Sequence, residues 1–151
     1  MNPLKILFVC VHNSARSQMA EAFLNHLGNG QFIAESAGLE PGILNQVVVD
    51  AMKFDGIDIS DNKTKTIRSI IFSGKSFDYV ITVCDETNAE KCPIVPGSGI
   101  RLHWSFDDPS ALNGSYVEKL NQTLLIMHQI KTRIETWIKE LQKLNKLPEF
   151  T

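Results

Sequence analysis

The strongest fold signal lies in residues 4–17, which read LKILFVCVHNSARS. The first half of this stretch is mostly apolar and rich in strand formers, which favours a strand buried in a parallel sheet. Residues 17–27 then carry apolar side chains at helical spacing, and Gly28 follows where a helix commonly ends. A buried strand that leads at once into a helix indicates an α/β fold.

The rest of the chain continues this alternation of strands and helices. Further strands are predicted at residues 32–37, 77–84 and 100–104, with helices at 45–55 and 64–72. A long final helix starts where Ser115 and Glu118 form a capping box, and Pro148 ends it. This order predicts a parallel sheet with right-handed crossovers.

The composition is that of an ordinary globular protein. At 151 residues with 43% hydrophobic content, the chain can form one buried core, so we predict a single domain over residues 1–151. The 15 Lys and Arg residues nearly balance the 17 Asp and Glu residues, which argues against a nucleic-acid partner or a membrane surface. No apolar run approaches the roughly 20 residues of a membrane span, and no signal-peptide pattern begins the sequence. A cytoplasmic location is therefore expected.

A cysteine, an arginine and a serine stand between the first strand and the first helix in the pattern C-x5-R-S. Backbone N–H groups of such a loop and the helix N-terminus can surround a tetrahedral oxyanion, and Arg16 can hold two of its oxygens. Cys10 would then lie beneath the central atom, in an electropositive pocket that favours a nucleophilic thiolate. The predicted oxyanion-binding loop comprises Val11, His12, Asn13, Ser14, Ala15, Arg16 and Ser17.

Other side chains of this loop have expected supporting roles. Ser17 can donate a hydrogen bond to the Cys10 thiolate and can also cap the helix. Asn13 and Ser14 can tie the loop together through side-chain hydrogen bonds. His12 is interpreted as a residue that shapes the loop by adopting a positive φ.

A thiolate that displaces an oxygen needs an acid to protonate the leaving group. Asp107 and Asp108 follow the last predicted strand, and Pro109 biases Asp108 toward an extended backbone that would hold its carboxyl over a pocket. Asp108 is the predicted acid and Asp107 the lesser candidate. An ordinary Asp-Pro turn is the alternative.

The other two cysteines are Cys84, at the end of a predicted strand, and Cys92. If the strands that end in Cys10 and Cys84 are neighbours, they lie ~4.8 Å apart, and a disulfide between them needs only modest movement. A Cys84–Cys92 disulfide requires the intervening segment to unwind if that segment is helical. Two unrelated thiols are an equal alternative. The cysteine and histidine spacings do not indicate a metal site, and no cofactor is expected.

At these residues the chain resembles the low-molecular-weight tyrosine phosphatase superfamily, and within it the thioredoxin-coupled arsenate reductases. The resemblance implies a three-layer sandwich in which a four-stranded parallel sheet is flanked by helices, with the first strand beside the one ending in Cys84. The blocks that carry it are residues 9–10, 16–21, 36–38, 56–60, 82–84, 92–93, 103–104 and 106–109.

The resemblance also implies an activity. Arsenate would bind in the loop, with phosphate and sulfate as competing oxyanions, and Cys10 would attack it while Asp108 protonates the departing oxygen. Cys84 would then attack Cys10 and release arsenite, and Cys92 would attack Cys84. The resulting Cys84–Cys92 disulfide would be reduced by thioredoxin.

The sequence departs from this family at three places. His12 and Ala15 stand where related reductases commonly have Gly and Cys, and the spacing from Cys84 to Cys92 is one residue longer. Lys65 falls where some members place an acidic residue that completes a potassium site with three other side chains. A lysine ammonium there would substitute for the cation. Those three side chains are Asn13, Glu21 and Ser36.

Two other functions are considered. A phosphatase acting on phosphotyrosine or a small phosphate ester would use the same Cys10, Arg16 and Asp108. Tyrosine phosphatases of this fold place aromatic residues after the Asp-Pro pair, whereas residues 110–112 here are Ser, Ala and Leu. An oxyanion sensor without catalysis would not need the nucleophile or the acid.

Overall fold

The computed structural model describes residues 2–40, 42–84, 95, 97, 99–144 and 146. In this part of the chain a parallel sheet of four strands has the order β2-β1-β3-β4, and helices cover it. The predicted fold class is confirmed. The elements are β1 (Leu4–Cys10), α1 (Arg16–Leu27), β2 (Phe32–Gly38), α2 (Gln46–Phe54), α3 (Ile67–Phe72), β3 (Tyr79–Thr82), β4 (Ile100–His103), a short 3-10 helix (Pro109–Ala111) and α4 (Tyr116–Lys143).

Strand β1 lies in the interior of the sheet. It pairs with β2 from Leu4 to Cys10 and with β3 from Ile6 to Val9. Its side chains from Ile6 to Val9 are fully buried, because helices cover both faces of the sheet. A strand buried on both faces needs a continuous apolar run, which is the pattern that the sequence shows.

The two faces of the sheet pack against different helices. On one face, Leu7, Val9 and Val80 pack with Ile67 and Ile70 of α3. On the other face lies the larger core, to which α1, α2 and α4 contribute. Trp137 of α4 belongs to this core, where its ring contacts those of the following aromatic residues: Phe32, Tyr79 and Trp104.

Helix α3 is shorter than predicted. The Thr66 side chain caps it by accepting a hydrogen bond from Ser69 N, so the helix begins at Ile67 rather than within residues 64–66. These three residues stay extended because Thr66 forms a parallel bridge with Gly38, and Thr64 Oγ1 donates to Gly42 O at 2.7 Å.

Strand β3 is also shorter than its predicted range of 77–84. It ends at Thr82, because β1 enters a loop after Cys10 and β4 ends at His103. Cys84 therefore lies two residues beyond the strand. Cys92, the 85–92 segment and Pro148 fall outside the described residues. Within the described part of the chain, no helix combines the length and apolarity that crossing a bilayer requires.

We expect that replacing Ile130 by Ala lowers the free energy of unfolding by about 2–5 kcal/mol. The Ile130 side chain is fully buried in the larger core, so truncation removes apolar contacts and leaves a cavity. Chemical denaturation of both proteins measures the difference. The matched control is Leu125→Ala on the same helix, whose side chain is 59% exposed. Equal effects of the two substitutions would contradict this placement of α4.

Candidate active site

The loop that joins β1 to α1 lies at the carboxyl edge of the sheet, where ligands gather in open α/β folds. Three backbone N–H groups of the segment 39–45 donate hydrogen bonds to carbonyl oxygens of residues 10–14. Since the N–H and C=O of one peptide point in opposite directions, these bonds turn the N–H groups of Val11, His12 and Ala15 away from that segment. The three bonds are Leu39 N to Cys10 O (3.2 Å), Glu40 N to Val11 O (3.0 Å) and Asn45 N to Ser14 O (2.9 Å).

Cys10 is a free thiol at the start of this loop and is 3% exposed. Its Sγ accepts a hydrogen bond from Asn13 N at 3.1 Å and lies 2.9 Å from Ser17 Oγ. Both donors stabilise a thiolate at this position. Ser17 does not cap α1; the N-cap residue is Ala15, which has no capping side chain.

Asn13, and not His12, adopts the positive φ of the loop, at 55°. The interpretation of His12 as the residue with positive φ is wrong. Asparagine tolerates the left-handed region because its short side chain can form local hydrogen bonds. Here Asn13 Nδ2 donates to Ser17 Oγ at 2.8 Å, and Asn13 Oδ1 accepts from Lys65 N at 2.8 Å. The His12 side chain is exposed.

Gly38, the last residue of β2, lets the loop lie close to the sheet. A Cβ at Gly38 would stand 2.7 Å from Asn13 N and from His12 C, closer than real Cβ contacts. In the sequence, Gly38 stands out only as the residue after the predicted strand 32–37 and as part of the block 36–38. A glycine at the end of a buried strand was the available signal for a close backbone approach.

Gln18 is a further residue of the site that the sequence analysis missed. It is 1% exposed, and its Nε2 donates to Asn13 O (3.2 Å), Asn13 Oδ1 (3.1 Å) and Lys63 O (3.1 Å). Its Oε1 accepts from Asn62 Nδ2 at 3.1 Å. Gln18 therefore ties the oxyanion-binding loop to the segment before α3. A polar residue beside the apolar run of α1 was the available signal.

The Arg16 guanidinium is almost fully buried and joins the oxyanion-binding loop to the segment after β4. Its Nη1 donates to Phe106 O at 3.0 Å, and its Nη2 lies 3.6 Å from Asp108 Oδ2. The whole residue is 4% exposed. These contacts bring the predicted arginine and the predicted acid together, although 90 positions separate Arg16 from Phe106.

The Asp108 side chain is 23% exposed, whereas Asp107 is exposed to solvent. Asp108 Oδ1 accepts a hydrogen bond from Ser110 N at 2.9 Å, which caps the 3-10 helix. Ser110 Oγ in turn accepts from Asn45 Nδ2 at 2.9 Å, and the Asn45 side chain caps α2. Asp108 is thus the carboxyl that the structure orients beside Arg16.

Cys84 is fully buried and lies at the same edge of the sheet as Cys10. Val9 is opposite Thr82 in the parallel pair of β1 and β3, and Val83 N donates to Val9 O at 2.9 Å. Cys84 is therefore about one residue further along the neighbouring chain than Cys10. The predicted neighbouring strands are present, and both cysteines belong to the larger core cluster. Cys84 is disulfide-bonded in this structure, whereas Cys10 is free.

Glu21 is a partly buried carboxyl on α1, in contact with Ser36 and Lys65. Burial raises its pKa, and the nearby Lys65 ammonium opposes this rise. Glu21 Oε1 lies 3.4 Å from Lys65 Nζ and accepts from Ser36 Oγ at 3.3 Å. Because an ammonium already occupies this position, a potassium ion beside it does not fit the residues present. No group of three metal-binding side chains occurs among the described residues.

We expect that Gln18→Leu lowers the stability of the fold by about 1–3 kcal/mol, because it leaves buried groups without their partner. It should also weaken phosphate binding about tenfold, since the loop loses its tie to the segment before α3. Thermal unfolding and isothermal titration with phosphate measure the two effects. Gln122→Leu, an exposed position on α4, is the control. Unchanged phosphate affinity in Gln18→Leu would contradict this role.

We expect potassium to have no specific effect on phosphate affinity when compared with sodium at equal ionic strength. Lys65→Met should destabilise the fold most at neutral pH, where Glu21 would be a partly buried carboxylate without its ammonium. The destabilisation should shrink as the pH falls and Glu21 takes up a proton. Thermal unfolding across this pH range measures it. A destabilisation that is independent of pH would contradict the pairing.

The model of the family described as low molecular weight phosphotyrosine protein phosphatase matches residues 5–147. An arsenate reductase of Shouchella clausii is 38% identical over 130 residues, covering 86% of this chain and 91% of that protein.

Solved structures give the same result. "An arsenate reductase in the phosphate binding state" superposes with a TM-score of 0.72 at 30% identity, covering 91% of this chain and 98% of that chain. A thioredoxin-dependent arsenate reductase of Corynebacterium glutamicum has a TM-score of 0.65 at 29% identity, covering 94% of this chain and 63% of that chain. The resemblance inferred from the motifs is confirmed. The chain belongs to the low molecular weight phosphotyrosine protein phosphatase family.

Proposed function

We propose that this chain is an arsenate reductase that converts arsenate to arsenite through the thiols of Cys10, Cys84 and Cys92. One observation carries the proposal: Cys84 is buried at the same sheet edge as the Cys10 nucleophile and in the same core cluster. A phosphatase needs the thiol of Cys10 but not that of Cys84. Relatives and solved structures named arsenate reductases support this function.

The first step uses the oxyanion-binding loop. Arg16 and the backbone N–H groups hold arsenate, and the Cys10 thiolate forms a bond to arsenic. The bond from arsenic to one hydroxyl oxygen breaks, and that hydroxyl leaves as water with a proton from Asp108. Arsenic remains in its pentavalent state, bound to Cys10 Sγ.

The second step transfers two electrons. The Cys84 thiolate attacks Cys10 Sγ, so that a sulfur–sulfur bond forms and the sulfur–arsenic bond breaks. The electron pair of that bond stays on arsenic, which leaves as trivalent arsenite. The Cys92 thiolate then attacks Cys84 Sγ and frees the Cys10 thiolate. The result is a Cys84–Cys92 disulfide.

The disulfide needs an external dithiol. We propose thioredoxin as this reductant, which takes the disulfide bond onto its own two thiols; the thioredoxin-dependent reductase of C. glutamicum supports this choice. Phosphate and sulfate should compete with arsenate, because they are tetrahedral oxyanions that the same loop can surround. A cytoplasmic location, where thiols are kept reduced, suits this chemistry.

Phosphatase activity is the second candidate function, since Cys10, Arg16 and Asp108 suffice for a phosphocysteine intermediate that water hydrolyses. The segment after the acid favours the reductase. Ser110 bonds to Asn45 through its hydroxyl, and Ala111 and Leu112 follow, so no aromatic ring stands there to hold a phenyl group.

We expect the reduced protein to consume NADPH when it is mixed with arsenate, thioredoxin and thioredoxin reductase. Cys10→Ser, Cys84→Ser and Cys92→Ser should each abolish this consumption, because each thiol carries one step of the relay. Asp108→Asn should slow it about a hundredfold, the usual contribution of a general acid. Asp107→Asn is the matched control and should keep the wild-type rate.

A different outcome of these assays would show that the chain is a phosphatase. If the wild-type protein consumes no NADPH yet hydrolyses p-nitrophenyl phosphate, and only Cys10→Ser loses that hydrolysis, the phosphatase function replaces the reductase function. Cys84 and Cys92 would then be thiols without a catalytic role.

A further inference from the structure

His103, at the end of β4, is held between two hydroxyls. It stands directly opposite Thr82 in the parallel pair of β3 and β4. Its Nδ1 lies 2.6 Å from Thr82 Oγ1, and its Nε2 lies 3.1 Å from Ser105 Oγ. Although the residue is exposed, both ring nitrogens are engaged, so the imidazole has one orientation.

The bridge can form with either neutral tautomer of the ring. Each hydroxyl can donate to a ring nitrogen or accept from it, and Thr82 Oγ1 also lies 3.4 Å from Leu102 O. Whichever nitrogen of the neutral ring carries the proton, one hydroxyl accepts from it and the other donates to the second nitrogen.

Ser105 belongs to the segment 104–108, which carries Asp108. Trp104 and Phe106 point inward: the Trp104 ring packs on Phe8 at 5.9 Å, and Phe106 O accepts the hydrogen bond from Arg16. Ser105, between them, points outward to His103. The segment is thus held on its inner side by packing and by Arg16, and on its outer side by the His103 bridge to β3.

We propose that His103 is a positioning residue for Asp108. The inference rests on the proposed role of Asp108 as the acid that protonates the departing oxygen. An acid works only within hydrogen-bond reach of that oxygen, and small displacements are costly. By fixing Ser105 to Thr82, His103 fixes the outward side of the segment three residues before the carboxyl. His103 itself need not touch arsenate.

Single turnover tests this role, because it measures the steps before thioredoxin. The pre-reduced protein is mixed with arsenate alone, and arsenite release is followed over a range of arsenate concentrations. We expect His103→Ala to lower the maximal rate about tenfold. The arsenate concentration that gives half of this rate should change less than about twofold, since the loop and Arg16 are unaltered.

The route through Asp108 is tested by combining substitutions. In an Asp108→Asn background, which already lacks the acid, His103→Ala should have almost no further effect. Thr82→Val and Ser105→Ala each cut one end of the bridge and should resemble His103→Ala. His128→Ala, an exposed histidine on α4, is the matched control and should keep the wild-type rate. Circular dichroism checks that each variant is folded.

Two results would overturn the inference while leaving the acid in place. One is a full additional loss from His103→Ala in the Asp108→Asn background, and the other is wild-type single turnover in His103→Ala. A third result, wild-type turnover in Asp108→Asn itself, would overturn the assignment of the acid and this inference with it. If His103→Ala fails to fold, a folded Thr82→Val with a tenfold lower maximal rate supports the bridge, and a folded Thr82→Val with the wild-type rate overturns it.

Discussion

The Arg16 guanidinium must be satisfied inside the protein, and much of the site depends on this requirement. A buried charge without partners costs several kcal/mol, so a residue that is 4% exposed needs acceptors nearby. Phe106 O and the Asp108 carboxylate are among the groups that supply them. The same contacts that stabilise the cation bring Asp108 beside Arg16, so a stability requirement and the arrangement of the proposed site are met together.

The thiol side of the site depends on a second constraint, the backbone of Asn13. Its left-handed conformation turns the Asn13 N–H toward Cys10 Sγ, while its side chain contacts Ser17 and Lys65. Gln18 and Gly38 hold this conformation from two sides, one by hydrogen bonds and one by the absence of a Cβ. The loop is therefore shaped before an oxyanion binds, which reduces the reorganisation needed during the reaction.

The family model is described as a phosphatase, whereas curated relatives of this chain are named arsenate reductases. In the mechanism we propose, Cys10, Arg16 and Asp108 would suffice for phosphate ester hydrolysis, and a second cysteine thiol near Cys10 would direct the covalent intermediate to reduction. Because β1 and β3 pair in parallel, their carboxyl ends lie at one edge of the sheet, and a cysteine after β3 therefore lies near Cys10. Cys84 needs only to follow β3 for its sulfur to lie near the edge at which Cys10 stands.

The amino-acid sequence by itself determined the order of the elements, the start of β1 at Leu4, the capping box at Ser115 and the C-x5-R-S loop. These are local features, set by hydrophobic period, turn residues and spacing. Only the tertiary structure decided that Asn13 carries the positive φ, that Gln18 and Gly38 support the loop, that His103 bridges Thr82 and Ser105, and that Asp108, which Pro109 favoured in the sequence, lies beside Arg16. Each of these depends on contacts between residues distant in the chain, or on backbone geometry that such contacts impose, and no local pattern encodes them.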